Sequence, residues 1–443
     1  MNPLTKMRNF YIACCGAGIF AIPFVLILSL TGAIYLFKPQ IDAFNDAPYR
    51  HLSITGELAS ADQQVAAAIA SLPSGRFSSY ELPREPFQAV HILVNQGSEK
   101  YRVTVHPQTL EILNIRNEQR QLLRIVHDIH GELLLGKVGA VLVELAACWA
   151  IVLVLTGLYL WWPRNSKGLA GVLYPRLAGP SRIFWRDLHS VIGFWISLLV
   201  LFLLVSGLPW ALVWGSALKE VRQLGSAPKV QDWNIAGQHH HEVAAETKPA
   251  AQAQSTSTMA KVSLELIVKN AQQLHLAHPV LISPPSSKAS FWMKTSAVNW
   301  SVNSTAQNRT LRADVEMDPY TGAVVSKQEF SGRDKLDQVI GIGIAAHEGQ
   351  LFGWLNQLLG LLTALGLILM SIAGFILWRK RAPANCLGAP PAPTNAKIGF
   401  GFAMIILLSA ILLPALGLSL LVIAAVEFIF LSRWSRARIW LGL

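Results

Sequence analysis

The sequence predicts a membrane-embedded all-α bundle of about six spans, with a duplicated four-span core and two extramembrane α+β domains. Three observations predict it. Of 443 residues, 52% are hydrophobic and 14% charged, whereas soluble domains carry about 25% charged residues. The apolar residues form continuous runs longer than the ~20 residues needed to cross a ~30 Å hydrocarbon core. Both the runs and the segments between them repeat.

In chain order the spans are 10–37, 127–162, 189–214 and 347–378, followed by a long run over 398–431. Pro414 and Gly417 fall near the middle of that last run. It reads as two short helices joined by a tight turn, with one kinked helix or a re-entrant pair as alternatives. Basic residues gather at span ends. Lys6 and Arg8 precede the first span; Arg164, Lys167, Arg176, Arg182 and Arg186 lie in segment 163–188 or just before the third span; Arg379, Lys380 and Arg381 open segment 379–397; and Arg433, Arg436 and Arg438 follow the last run. By the positive-inside rule both termini and these two short loops are cytoplasmic. Segments 38–126 and 215–346 are then external, with Trp161, Trp162, Trp210, Trp214 and Trp378 as the interfacial belt. This distribution, and not nucleic-acid binding, accounts for the formal charge of +11. The partner it implies is the lipid bilayer.

Cys14, Cys15, Cys148 and Cys386 all lie outside the external segments, so no external disulfide framework is expected, and no CxxC motif occurs. Cys14 precedes the apolar run instead of following it, and the run is too long for a signal-peptide core, so the first span is expected to be an uncleaved anchor.

The duplication has two offsets. At 175, Leu30-Thr31-Gly32 matches Val205-Ser206-Gly207, Gly18 matches Gly193, and Cys14 matches His189. At 217, His130 matches His347, Gly136 matches Gly353, Gly157 matches Gly374, Trp161 matches Trp378 and Arg164 matches Arg381. The external segments echo each other too. Tyr101–Leu113 and Leu311–Val325 both read as strand, turn, strand, with Pro107, Pro319 and Gly322 supplying the turns. Helix candidates precede them at Ala59–Ala70 and Leu264–Leu276. The unit is therefore span, helix-plus-sheet domain, span, used twice in one orientation, a parallel repeat. Segment 236–260, rich in Ala, Gln, Ser and Thr, reads as a flexible linker; His239-His240-His241 within it reads as solvated low-complexity sequence.

The HDIHGELLLG of the second span, the Leu-His-Ser-Val-Ile-Gly of the third, the HEGQLFG of the fourth and the two His/Asp-Pro hairpins together resemble the PepSY-associated transmembrane family, over about residues 10–385. The resemblance implies PepSY-like external domains on a bacterial inner-membrane bundle. Through one branch of the family it implies a haem-containing ferric-siderophore reductase. The expected cofactor is haem b, one or two per chain, and the expected partners are a ferric siderophore and a cytoplasmic or quinol electron donor.

The histidines are the chemical signal, because imidazole is costly in hydrocarbon and is the commonest metal ligand. His130 and His347 stand at matching outer mouths, where two facing helices could each offer one axial ligand to a haem. Interfacial hydrogen bonding is the bland alternative, and a zinc or iron site using His127, His130 and His347 is another. His127 shares a helical face with His130; it is a ligand candidate or a structural residue. His189 stands at the inner mouth, and its repeat partner is Cys14, where the family pattern would often place a histidine. A second haem there would be five-coordinate, would take a ligand from elsewhere, or would be absent. Two carriers at different depths suit stepwise electron transfer. Arg124, Lys137, Arg182, Arg186 and Arg379 are candidate propionate partners. Glu144, the one acid deep in the second span, suggests proton relay or a helix contact. No nucleotide, flavin, zinc-protease, serine-hydrolase or kinase motif appears. The expected function is transmembrane electron transfer to ferric siderophore; the rivals are a PepSY-type regulator of an external partner and a transporter of iron or its chelate.

Overall fold

A computed structural model describes residues 3–162, 168–177, 180–225, 261–286, 296, 298–381, 400–431 and 433–434. The linker 236–260 with its three histidines, Arg164, Lys167, Cys386, Arg436 and Arg438 lie outside the described residues. The chain divides into two compact units: 1–34, 128–240 and 357–443 in one, and 35–127 and 241–356 in the other.

In chain order the elements are α1 (Pro3–Leu36), α2 (Lys38–Asp46), α3 (Ala61–Ala70), β1 (Arg76–Glu81), β2 (Val90–Gln96), β3 (Glu99–Val105), β4 (Ile112–Asn117), α4 (Leu122–Glu132), α5 (Gly136–Trp161), α6 (Ser181–Gly207), α7 (Leu212–Gly225), α8 (Leu264–Gln272), β5 (Val280–Ser283), β6 (Trp300–Ser304), β7 (Ala313–Met317), β8 (Val324–Glu329), α9 (Lys335–His347), α10 (Trp354–Arg381), α11 (Phe400–Leu412) and α12 (Pro414–Val426).

The sheet unit joins both repeats. Its strands run β4-β3-β2-β1-β5-β6-β7-β8 in one antiparallel sheet, and the halves meet where Tyr80 pairs with Ile282 and Glu81 with Leu281. The two expected helix-plus-sheet folds thus share a single sheet. Period-2 alternation sends Ile92, Val94, Val103, Ile282, Val302 and Met317 to one face, where they form the core with Ala68 and Val65 of α3 and Ile267 and Ala271 of α8. Each such aliphatic side chain contributes about 1.5–3 kcal/mol on burial.

The helices are capped by each other. Asp62 accepts from the amides of Leu264 and Glu265, both at 3.1 Å, and Glu265 accepts from the Ala61 amide at 2.6 Å. Each carboxylate meets the orphan N–H groups and positive dipole end of the other helix. The two proline hairpins are also built alike. The Asp318 carboxylate accepts from the Tyr320 and Thr321 amides at 2.8 Å, and His106 Nδ1 does the same for Gln108 and Thr109 at 3.2 Å. Gly322 and Leu110 hold the following left-handed position, at φ 70° and 62°.

The helical unit is built around α5, half of whose apolar window is buried, against 22% for α1, α6 and α10. α5 packs closely on α6, α7, α11 and α12. Four helices are long and apolar enough to span: Gly16–Leu36, Gly136–Trp161, Ser181–Trp210 and Trp354–Arg381. α11 and the helix from Pro414 to Phe430 form a pair bent by 114°. α11, with 13 residues, is ~20 Å long and the arm from Pro414 to Phe430 about 25 Å, so neither crosses a ~30 Å bilayer core. The count among the described residues is therefore four, or five if the pair is one span, instead of about six.

Candidate functional site

His130 and His189 belong to the helical unit, near opposite ends of its spans. α6 starts at Ser181, after Pro180, so His189 lies about two turns inside the helix and not at its mouth. The turn before it is anchored by Asp187, fully buried. Arg176 grips that carboxylate with Nε at 2.6 Å and Nη2 at 3.0 Å, and Arg186 adds Nη2 at 2.8 Å. Arg186, a candidate propionate partner, is thus engaged with Asp187.

His189 Nδ1 lies 2.9 Å from the carbonyl oxygen of Met370 on α10. A carbonyl only accepts, so Nδ1 carries the proton and, in the neutral ring, Nε2 carries the lone pair. The imidazole lies against Gly374: a Cβ there would sit 3.4 Å from His189 Cε1.

His130 repeats this arrangement at the other end. It occupies the last turn of α4, and its Nδ1 lies 2.9 Å from Thr31 Oγ1 on α1. The one hydroxyl proton of Thr31 goes to the Ile27 carbonyl at 2.8 Å. Toward His130, Thr31 therefore accepts and Nδ1 donates, again assigning the lone pair to Nε2. The ring lies against Gly32, where a Cβ would stand 3.2 Å from His130 Cε1. A sharp corner follows. Leu133, Leu134 and Gly136 have φ of 53°, 59° and 56°, and a Cβ on Gly139 would come within 1.8 Å of the Glu132 carbonyl oxygen. His130 consequently stands on a separate short helix before the span, not on the span itself. In the second copy α9 ends at His347, and Gly353, counterpart of Gly136, has φ 62°.

The remaining candidates are placed differently. His127 is exposed, its ring 5.8 Å from that of Tyr35, and it falls with Arg124 and His347 in the sheet unit. Arg379 lies over the Trp378 ring at 5.8 Å, while Arg182 and Lys137 are exposed. Among the described residues, no cluster of three or more His, Cys, Asp or Glu has metal-site geometry. Glu144 caps a helix: its carboxylate accepts from the Val213 amide at 2.7 Å and the Trp214 amide at 3.0 Å, satisfying the first turn of α7. That favours the helix-contact reading over proton relay.

A metal-ligating histidine needs a neutral ring with its second nitrogen held by an acceptor. His130 and His189 each have Nδ1 held by an acceptor, beside a glycine of the neighbouring helix. These features fit haem. Two buried indole N–H groups, Trp161 Nε1 and Trp378 Nε1, have no hydrogen-bond partner among the described residues. Thr31, Gly32 and Gly374 had marked the repeat in the sequence; that they hold histidines could not be read there, because the partners lie far apart in the chain.

The family model described as "PepSY-associated TM region" matches residues 16–381. No curated protein matches the chain.

Proposed function

This chain belongs to the PepSY-associated transmembrane family, and from that premise we propose that it is a haem-containing bacterial inner-membrane reductase, its termini cytoplasmic. It passes electrons across the bilayer to Fe(III) in a siderophore complex on the periplasmic side and releases Fe(II) for uptake. The observation that carries the reading is the matched setting of His130 and His189, each with Nδ1 donating to an acceptor on another helix and each lying against a glycine.

Bound haem b would supply a one-electron carrier at each site. His130 and His189 would hold it through Nε2, with Nδ1 of each oriented by Thr31 and by the Met370 carbonyl. His347 is a ligand candidate by its repeat position alone. On α6, His189 and Gly207, the counterpart of Gly32, are roughly 18 residues or ~27 Å apart. That spacing suits two carriers at different depths. With no nucleotide or flavin motif in the chain, electrons come from a quinol or a cytoplasmic donor protein. Each one-electron reduction of Fe(III) to Fe(II) weakens its hold on the hard oxygen ligands of a siderophore.

The test is the absorption spectrum of detergent-purified protein from haem-replete cells. A Soret band that shifts with dithionite and returns on adding a ferric siderophore is expected. His130→Ala and His189→Ala should each lower haem content in a pyridine-haemochrome assay. A colourless protein, the outcome expected of a PepSY-type regulator or an iron transporter, would overturn the reading.

A further inference from the structure

We propose that the site at His189 takes its haem through this one imidazole, leaving a second coordination position open to a small exogenous ligand; the inference rests on the haem reading above.

The repeat supplies the comparison. Gly374 and Gly157 are counterparts, as are His189 and Cys14. On the α10 side Gly374 carries the His189 ring, with a would-be Cβ 3.4 Å from Cε1. On the α5 side Gly157 is exposed, and a Cβ there would meet nothing within 4 Å among the described residues. The counterpart of His189 in the repeat is Cys14, so the repeat supplies one imidazole here and not two. Among the described residues of the helical unit, the other histidine is His130, and it is held by Thr31 near the opposite end of α1.

A second observation points to a ligand at this depth. Trp161 and Trp378 stand one turn beyond Gly157 and Gly374, at matching places in the repeat, and both bury an indole N–H that lacks a partner among the described residues. An orphaned buried donor is expensive, about 1–3 kcal/mol each. Two at equivalent positions are accounted for by acceptor atoms on a bound group. Trp161 is fixed by stacking on Phe194 of α6 at 4.0 Å, and Trp378 is covered by Arg379 at 5.8 Å. The donors are thus duplicated around the site while the imidazole is not. A six-coordinate site would be spectroscopically silent toward carbon monoxide; this one would react.

The experiment uses the purified, haem-loaded full chain, reduced with dithionite and exposed to carbon monoxide. The expected result is a carbon monoxide adduct on part of the haem, present in His130→Ala and lost together with that haem in His189→Ala. Cys14→His, which restores an imidazole at the counterpart position, should abolish the adduct and convert a high-spin electron paramagnetic resonance signal to low-spin. Coloured protein that forms no adduct would overturn the inference alone. So would an adduct that survives His189→Ala, or a thiolate-type spectrum that disappears in Cys14→Ser. Colourless protein would overturn the haem reading with it.

Discussion

A single hydroxyl decides which nitrogen of His130 carries the proton. Thr31 gives its proton to the Ile27 carbonyl and accepts from Nδ1. Valine has the same shape and lacks the acceptor, so Thr31→Val removes this hydrogen bond without opening a cavity. Losing such an outer-shell partner typically costs 10–100-fold in metal affinity. On the proposed haem ligation, Thr31→Val should therefore surrender its His130-site haem to apomyoglobin roughly tenfold faster than wild type, whereas Thr31→Ser should behave as wild type. Equal transfer rates for all three proteins would mean that Thr31 does not orient the ligand. The His189 bond uses a backbone carbonyl, which no side-chain substitution deletes, so the two sites differ in how they can be tested. Residue-scale chemistry was partly legible in the sequence: the histidines and their repeat positions were visible, but the acceptor for each ring sits on a helix far away in the chain. Glu144 was visible as an intramembrane acid; its role as a cap depended on where α7 begins.

At the scale of elements, helix starts decide more than helix lengths. The spans were legible because apolar runs of that length have few other uses in a protein. Their internal breaks were not. Leu133 and Leu134 adopt left-handed backbone, a conformation that nothing in two leucines announces, and it separates the His130 helix from its span. The helix starts of the sheet unit make a sharper case. Asp62 and Glu265 are exposed acids that would pass for solubilising charges, yet each caps the other's helix. Asp62→Ala should speed hydrogen exchange at the Leu264 and Glu265 amides, and Glu265→Ala at Ala61, with each substitution costing about 1 kcal/mol of unit stability. Exchange confined to the mutated residue's own helix would show that the caps are not reciprocal.

At the scale of the whole molecule, the repeat was the most legible feature, since offsets of 175 and 217 pair unlike residue types. That the two α+β halves share one sheet was not legible, because the joining strands β1 and β5 lie about 200 residues apart and carry no pairing signal. The join has a consequence for acid stability. Beside it, Glu81 and Glu118 share Arg102, and His91, 2% exposed, pairs in register with Glu81 and lies 3.2 Å from Thr104. Burial lowers the His91 pKa more than Glu81 raises it. Burial pushes Glu81 and Glu118 up, but Arg102 outweighs it and holds both below the usual carboxylate range. The signs agree. An unfolded histidine takes up a proton below about pH 6.5 while folded His91 resists, so stability falls as pH drops through that value. The carboxylates contribute stability above about pH 4.5 that is lost as pH falls through their lower folded values. Lys100, pushed down to about 8 by burial, works at the other end: its contribution grows as pH rises from about 8 toward its unfolded value near 10.4. Thermal melting of the strand signal in circular dichroism should therefore show a midpoint that declines from pH 7.5 to 5.5 and declines again below about pH 4.5. His91→Gln should remove the first decline and keep the second, because the Arg102 ion pairs remain. A melting midpoint unchanged between pH 7.5 and 5.5 in the wild type would show that His91 does not couple the sheet to acid. A first decline that persists in His91→Gln would assign it to another group, with His278, whose pKa is also lowered by burial, next in line.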